Sequence, residues 1–454
     1  MQSPSPICLI CTMIHIGAGS LRRSFTGNVQ RPRTAGAGSI RNVRPMMFYR
    51  TPTPAGFPRG GRTALASVLV AGSLLLGGCS AATENAATPA SATTSQEAAV
   101  STASVTEGAT TTAATISDSA TAAEAFLATL TDAQREQVTY AYDDETKTTS
   151  WSNFPVTFVD RAGLNLADLT DEQRAAAMTV LESMLGDDAY STVTGIMGGD
   201  EYLHENSTST EDSLGQYYIA FFGDPSDTSA WEIQFGGHHL GINATLDGAA
   251  DAVTFAPTHL GVQPAEYTTA DGTDVQPFDG IYTDAFAFYD SLTDEQKTTL
   301  YQGSDVAAMV CAPGSTCDFP TGSGLSGADL TDEQKQLLLQ VIANWAGMAD
   351  EETTADALAT IEATLDTTYV NWSGATTYDM SQGDGIHFQI SGPDVYVEFA
   401  AQQGSAGADV AGVTTSGWGH VHTIYRDPSN DYANSVTQQE STGMGGGAMP
   451  GGGF

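Results

Sequence analysis

The chain has 454 residues and carries 16 Lys and Arg against 54 Asp and Glu, a formal net charge of −38. Nine of the basic residues and none of the acids precede Cys79, so from Cys79 onward seven cations stand against 54 acids, a net −47. Such a chain repels a phosphate backbone, which excludes nucleic acid as a partner. The excess of acids suits a salty or ion-rich habitat, where counterions screen self-repulsion.

At the N-terminal end, Arg50, Arg59 and Arg62 precede an apolar run from Ala64 to Leu76 that closes on Leu76-Gly77-Gly78-Cys79. This is the charged, apolar and small-residue order of a signal peptide. The run is too short to span a bilayer as a mature helix. Leu-Gly-Gly-Cys resembles a lipobox, which implies that Cys79 is lipidated and becomes the first mature residue. The expectation is an exported protein, lipid-anchored to the cell membrane and facing outside the cytoplasm, with residues 1–79 as its leader. A signal peptide begins a few residues before its apolar core, so Met46 or Met47 is the expected start. Residues 80–120 are Ala, Thr and Ser with almost no large apolar side chains, and are expected to form a disordered tether. The Gly- and Met-rich residues 438–454 are expected to form a disordered tail.

Between these segments one hexapeptide pattern recurs, at Leu130 to Arg135, Leu169 to Arg174, Leu292 to Lys297 and Leu330 to Lys335. Each reads Leu-Thr-Asp, then Ala or Glu, then Gln and a base. Thr as N-cap with Gln three residues later is a capping box, and the intervening Asp complements the helix dipole. Helices are therefore predicted to start at Thr131, Thr170, Thr293 and Thr331. The repeat continues in strands, where Trp231 to Asn243 can be laid on Ile386 to Glu398. Tyr218, Ala220 and Phe222 alternate with Ile219 and Phe221, as half-buried strands do. The predicted class is α+β, in two related halves, 121–280 and 281–437. Each half is a capped helical block followed by an antiparallel sheet, and the two pack as one pseudo-symmetric body.

Cys311 and Cys317 flank Ala-Pro-Gly-Ser-Thr and are expected to pair in an oxidising compartment, shaping a local turn. His420 and His422 are two apart in a stretch rich in Val, Ile and Thr, so on a strand both imidazoles face one side. His238 and His239 are adjacent and would face opposite sides of a regular strand, unless Gly236-Gly237 bulges it. His259 and His387 read as structural histidines. Together, His420, His422 and His238 or His239 could chelate a divalent transition metal such as zinc or copper. Glu398 and Glu232, on strands beside the histidines, are candidate bases, and Arg426 suggests a carboxylate partner, in the protein or on a ligand. Neither a Gly-x-Ser-x-Gly elbow, a phosphate loop nor a zinc-protease helix motif is present. Three readings follow: a metal-dependent, hydrolase-like enzyme, a lipoprotein that binds a metal or small solute without turnover, and a structural protein with no ligand. The membrane, through the anchor, is the expected partner.

These residues also carry a resemblance. Trp151-Ser-Asn-Phe-Pro155, Arg161-Ala-Gly163, Gly237-His-His-Leu240, Gly392-Pro393 with Glu398, and His420-Val-His-Thr with Arg426-Asp427 resemble an uncharacterised bacterial family, domain of unknown function 3500. The resemblance runs from about Trp151 to Tyr432 and implies no known activity. The chain departs from the family pattern at Ala400-Ala401, where the pattern has Asp-Asn, and at Tyr432-Ala433, where it has an aromatic residue and Gly.

Overall fold

The computed structural model describes residues 111–209, 213–381, 384–404 and 408–440. The expected signal peptide, the expected lipidation site Cys79 and residues 441–454 lie outside them. In chain order the elements are α1 (Thr112–Ala128), α2 (Asp132–Val138), β1 (Thr139–Tyr140), α3 (Thr146–Thr149), β2 (Leu164–Asn165), α4 (Asp171–Met184), α5 (Asp187–Asn206) and β3 (Tyr218–Phe222). The chain continues with β4 (Ala230–Gly236), β5 (Leu240–Asp247), β6 (Ala252–Thr254), β7 (Thr258–Val262), β8 (Tyr267–Thr268) and β9 (Asp274–Val275). Next come α6 (Asp279–Ser291), α7 (Asp294–Leu300), β10 (Tyr301–Gly303), β11 (Leu325–Ser326), α8 (Asp332–Ala346) and α9 (Glu351–Glu362). The last strands are β12 (Tyr369–Gly374), β13 (Ile386–Ser391), β14 (Tyr396–Gln402) and β15 (Gly417–Arg426).

All four capping boxes form, each with the Thr hydroxyl accepting from the Gln backbone N–H and the Gln side chain accepting from the Thr N–H. The boxes also pair. Gln173 donates to Gln134 (3.2 Å) and Gln334 to Gln296 (3.0 Å), so α2 starts beside α4 and α7 beside α8. Helix α1 corrects the expected tether, since residues 112–120 belong to a helix that packs on the body. Its small polar side chains are used inwardly, Thr115 Oγ1 donating to Asp350 Oδ2 (2.7 Å) and Ser183 Oγ to Ser119 Oγ (3.4 Å). Gln438 likewise belongs to the body rather than the tail: it is buried and accepts from the Tyr432 hydroxyl.

The fold is α+β, with helices packed on a large mixed sheet. Among the described residues the sheet has 13 strands, and its main path runs β1-β3-β4-β5-β7-β15-β14-β13-β12-β10. Most neighbours are antiparallel, but β1 lies parallel to β3 and β10 parallel to β12. The pairing of β7 with β15 joins strands from before and after residue 280 into one sheet.

Alternation along these strands gives the sheet two unlike faces. Ile233, Phe235, Ile242, Leu246, Val397, Phe399 and Val421 enter one apolar core with Val180, Leu181, Ile342 and Trp345 of the helices. The opposite face is buried yet polar, carrying Glu232, Gln234, Asn243, His259, His387, Glu398, His420, His422 and Arg426. It is covered by irregular chain around residues 141–162, 304–324 and 427–440. Cys311 and Cys317 form a disulfide within the second of these segments.

Candidate metal centre

His420 and His422 leave β15 on the polar face, and their ring centroids lie 4.9 Å apart. His238 and His239 occupy the turn between β4 and β5, not a regular strand. They therefore do not face opposite ways: their rings stack at 4.2 Å and 19°. The turn directs both rings at β15, with His239 5.5 Å from His422 and 5.6 Å from His420, and His238 5.6 Å from His422. Four imidazoles from distant parts of the chain thus converge, all buried. The donor atoms of His238, His239 and His422 lie within 4.8 Å of one another, so these three could hold a metal ion.

Small residues make room for the rings. His422 stands opposite Ala400 on one side and Gly261 on the other. A Cβ at Gly261 would stand 3.1 Å from His422 Cδ2 and 3.0 Å from His259 Cε1, tighter than ordinary contact. Ala400 thus places only a methyl group beside His422.

Three of the rings are anchored through Nδ1. His239 Nδ1 lies 2.6 Å from Asp200 Oδ1, and Tyr217 donates to the other oxygen of Asp200 (2.6 Å). His420 Nδ1 lies 2.8 Å from the Gly404 carbonyl, which makes Nδ1 the protonated nitrogen and leaves Nε2 as a lone pair. His422 Nδ1 lies 3.1 Å from Asn153 Nδ2, while Asn153 Oδ1 has no hydrogen-bond partner. Turning that amide over lets Nδ1–H donate to Oδ1, which satisfies both groups. No hydrogen bond reaches Nε2 of His420 or His422 among the described residues. An anchored Nδ1 with Nε2 presented inward is the usual arrangement of metal-binding imidazoles.

The electrostatics agree. Burial, reinforced by the neighbouring imidazoles, holds His238 and His422 well below the usual histidine pKa and lowers His420 to about 3. The rings are therefore neutral at physiological pH, the form that binds metals. His259 is lowered to about 4, again by burial, although its nitrogens face the carbonyls of Thr423 (2.7 Å) and His238 (3.0 Å). With both nitrogens so placed, it braces the cluster and does not add a ligand.

The expected acids and arginine are committed elsewhere. Glu398 accepts from the backbone of Val310 (2.7 Å) and Cys311 (2.9 Å), from the Tyr396 hydroxyl (3.1 Å), and lies 2.9 Å from His387 Nε2. A carboxylate with four partners is a brace for the disulfide segment and not a base poised at the histidines. Glu232 forms a fully buried ion pair with Lys147 (2.8 Å) and accepts from Thr245 (3.2 Å). Burial raises its pKa, and Lys147 opposes that rise. Arg426 pairs with Asp431 (2.6 Å) over the Phe319 ring, so its carboxylate partner is the protein's own.

The family profile of the proteins of unknown function DUF3500 matches residues 112–434, most of the chain. The chain belongs to the DUF3500 family. No curated protein and no solved structure matches this DUF3500 chain.

Asp200, Tyr217, Asn153 and Arg161 are the supporting residues that sequence reasoning missed. Arg161 donates to the carbonyls of Ser152 (2.8 Å), Phe154 (2.6 Å) and Gly237 (2.9 Å), tying the segment that bears Asn153 to the histidine turn. Asp200 had a visible signal, since it follows Gly198-Gly199 inside α5. Glycines are unfavourable within helices unless close approach demands them. Here a Cβ at Gly198 would meet the Tyr267 hydroxyl at 2.3 Å, so that glycine lets α5 lie close against the chain after β7, two residues before Asp200.

Proposed function

We propose that this DUF3500 chain is an exported, lipid-anchored protein that binds one transition-metal ion in its histidine cluster and holds it without turnover. The observation that carries the reading is the convergence of four buried imidazoles, three of them anchored through Nδ1 by Asp200, the Gly404 carbonyl and Asn153. Export and the anchor rest on the order Arg62, apolar run, Leu76-Gly-Gly-Cys79.

Binding is favoured over a hydrolase-like reaction by the commitments of the candidate bases among the described residues. Both acids expected in that role have other partners, and Asp200 is engaged by His239 and Tyr217. A cavity of about 410 Å³ lies between α9, β6 and the chain after β15, and none of the four histidines lines it. The test is elemental analysis of the protein purified without a histidine tag. About one metal ion per chain is expected, His422→Ala should abolish it, and His259→Ala should retain most of it. Absence of metal from wild-type protein, even after incubation with zinc or copper, would return the cluster to a structural role.

We also infer that the body is a duplicated, pseudo-symmetric unit. The offset between paired capping boxes supports this, as does the element order. So does the shared turn, in which Gly237 N–H donates to Leu240 O (2.7 Å) and Gly392 N–H to Val395 O (2.8 Å). Under this reading the histidine turn is the functional variant of a hairpin that in the second unit carries Pro393 and Asp394.

A further inference from the structure

We propose that the cavity between α9, β6 and the chain after β15 binds a small organic cation, an amine carried on a short aliphatic skeleton. The site is separate from the histidine cluster and does not rest on the metal-binding reading. Its volume, about 410 Å³, falls within the roughly 300–1,000 Å³ of small-molecule sites and is far more than one ion fills. Four carboxylates of the described residues line it, each from a different segment: Asp251 before β6, Asp356 of α9, Asp394 between β13 and β14, and Asp427 after β15. Val253, Phe255 and Ile361 give it an apolar wall. No Lys, Arg or His lines it among the described residues, and the undescribed parts of 80–454 contain none.

Carboxylates alone would mean little in a chain with 54 acids, and a tyrosine singles this cavity out. Tyr425 lines it and is only 4% exposed, yet no hydrogen bond reaches its hydroxyl among the described residues. The equally buried hydroxyls of Tyr217, Tyr282, Tyr396 and Tyr432 each donate within the protein, as buried polar groups do. Burial and then Asp427 raise the Tyr425 pKa, so the hydroxyl is neutral and can accept from an ammonium N–H beside that carboxylate. Asp427 points the same way. Its Oδ1 accepts from the Ser429 N–H (2.9 Å) and hydroxyl (2.8 Å), while no hydrogen bond reaches Oδ2 among the described residues. Burial raises its pKa, the Ser429 hydrogen bonds oppose the rise, and Asp431 and Asp394 add to it. An entering cation relieves that repulsion. Calcium is the competing occupant, but it needs six to eight oxygens at about 2.3–2.6 Å, of which the apolar wall supplies none. A carbon skeleton covers that wall while its amine meets Asp427 and Tyr425.

The test is calorimetric titration of the full chain in detergent with pentylamine and with the five-carbon diamine cadaverine, against neutral pentanol. An amine is expected to bind saturably at one per chain, and pentanol at least about tenfold more weakly. Tyr425→Phe removes an oxygen with no partner in the protein, so the unfolding midpoint without amine should hold while amine affinity falls about tenfold. Asp427→Asn keeps an acceptor for Ser429 and should weaken the amine by about tenfold or more. Asp168→Asn removes an exposed acid outside the cavity and should leave the affinity near wild type. Equal effects of the two Asp changes would mean diffuse attraction to the acidic excess and overturn the site. Unchanged affinity in Tyr425→Phe overturns it as well. Pentanol bound as tightly as the amines, or neither amine bound at millimolar concentration, overturns the assignment of an organic cation. In the last case, calcium bound at one per chain and lost in Asp427→Asn would mark an inorganic-ion site instead.

Discussion

Replacing Lys147 with Met should be among the most damaging single changes in the body, and its cost should depend on pH. Lys147 Nζ and Glu232 Oε2 are 2.8 Å apart with both side chains fully buried. Nζ also donates to Ser435 (3.2 Å) and sits over the rings of Tyr142 (4.6 Å) and Phe222 (5.2 Å). Without it, Glu232 keeps one hydroxyl donor, Thr245, and its Oε1 already has none. Breaking one side of a buried pair typically costs about 3–5 kcal/mol, because the remaining charge is stranded. Burial already raises the Glu232 pKa from 4.5, and removal of Lys147, which lowers it, raises it further. The folded variant then holds a proton that the unfolded chain has released, so stability falls as pH rises above about 4.5. Urea unfolding should show the full loss near pH 8, shrinking by up to about 1.4 kcal/mol per pH unit as pH drops toward 4.5. Lys147→Met with Glu232→Gln should recover much of the loss at pH 8. A cost below about 1 kcal/mol at pH 8, or one equal at both pH values, would refute the argument.

The remaining predictions concern histidines, export and charge. His420 is lowered to about 3 by burial, so below pH 6.5 the unfolded chain takes up its proton first and stability is lost as pH falls. His420→Gln should flatten the slope of stability against pH between 6 and 4.5 by about 1.4 kcal/mol per unit, and an identical slope would contradict a neutral buried ring. Cys79→Ser should move the protein from the membrane fraction to the soluble one, and unchanged fractionation would remove the anchor. Thermal stability should climb with salt as the acidic excess is screened. A midpoint flat from low to molar salt would mean that the acids are compensated locally.

What was legible in the sequence was local or periodic. A capping box is complete within four residues, so Thr131, Thr170, Thr293 and Thr331 announced their helices without reference to the rest of the chain. The two-residue spacing of His420 and His422 fixed their common side once a strand was assumed. The partners of Glu398 were not legible, because two of them are backbone N–H groups of Val310 and Cys311, which any residues could supply. Lys147 and Glu232 meet across 85 positions, and nothing in either neighbourhood marks the other. The start of α1 was hidden for a different reason. A tether and a helix packed through Thr115 and Ser119 can share one composition, and only Asp350 and Ser183 on the far side distinguish them.

On the proposed metal-binding reading, the acidic excess and the buried histidine cluster would act as two stages of selection. A strongly negative exterior concentrates every cation near it, sodium and calcium included, and so gives attraction without discrimination. A site that used those carboxylates as ligands would fill with the commonest hard ion, since calcium and magnesium seek oxygen donors. This chain instead turns Glu232 and Glu398 inward onto Lys147 and the disulfide segment and offers four imidazoles at the place where the ion would sit. Nitrogen donors that burial keeps unprotonated bind hard ions poorly and late transition metals well. Collection by the surface therefore need not compromise choice within. An Ala400→Asp variant tests the division of labour, because it would put an acid directly across β14 and β15 from His422. If the imidazole-only donor set is what limits affinity for doubly charged ions, that acid should raise the affinity for zinc. If it does not, the limit resides in the geometry of the rings and not in their donor set.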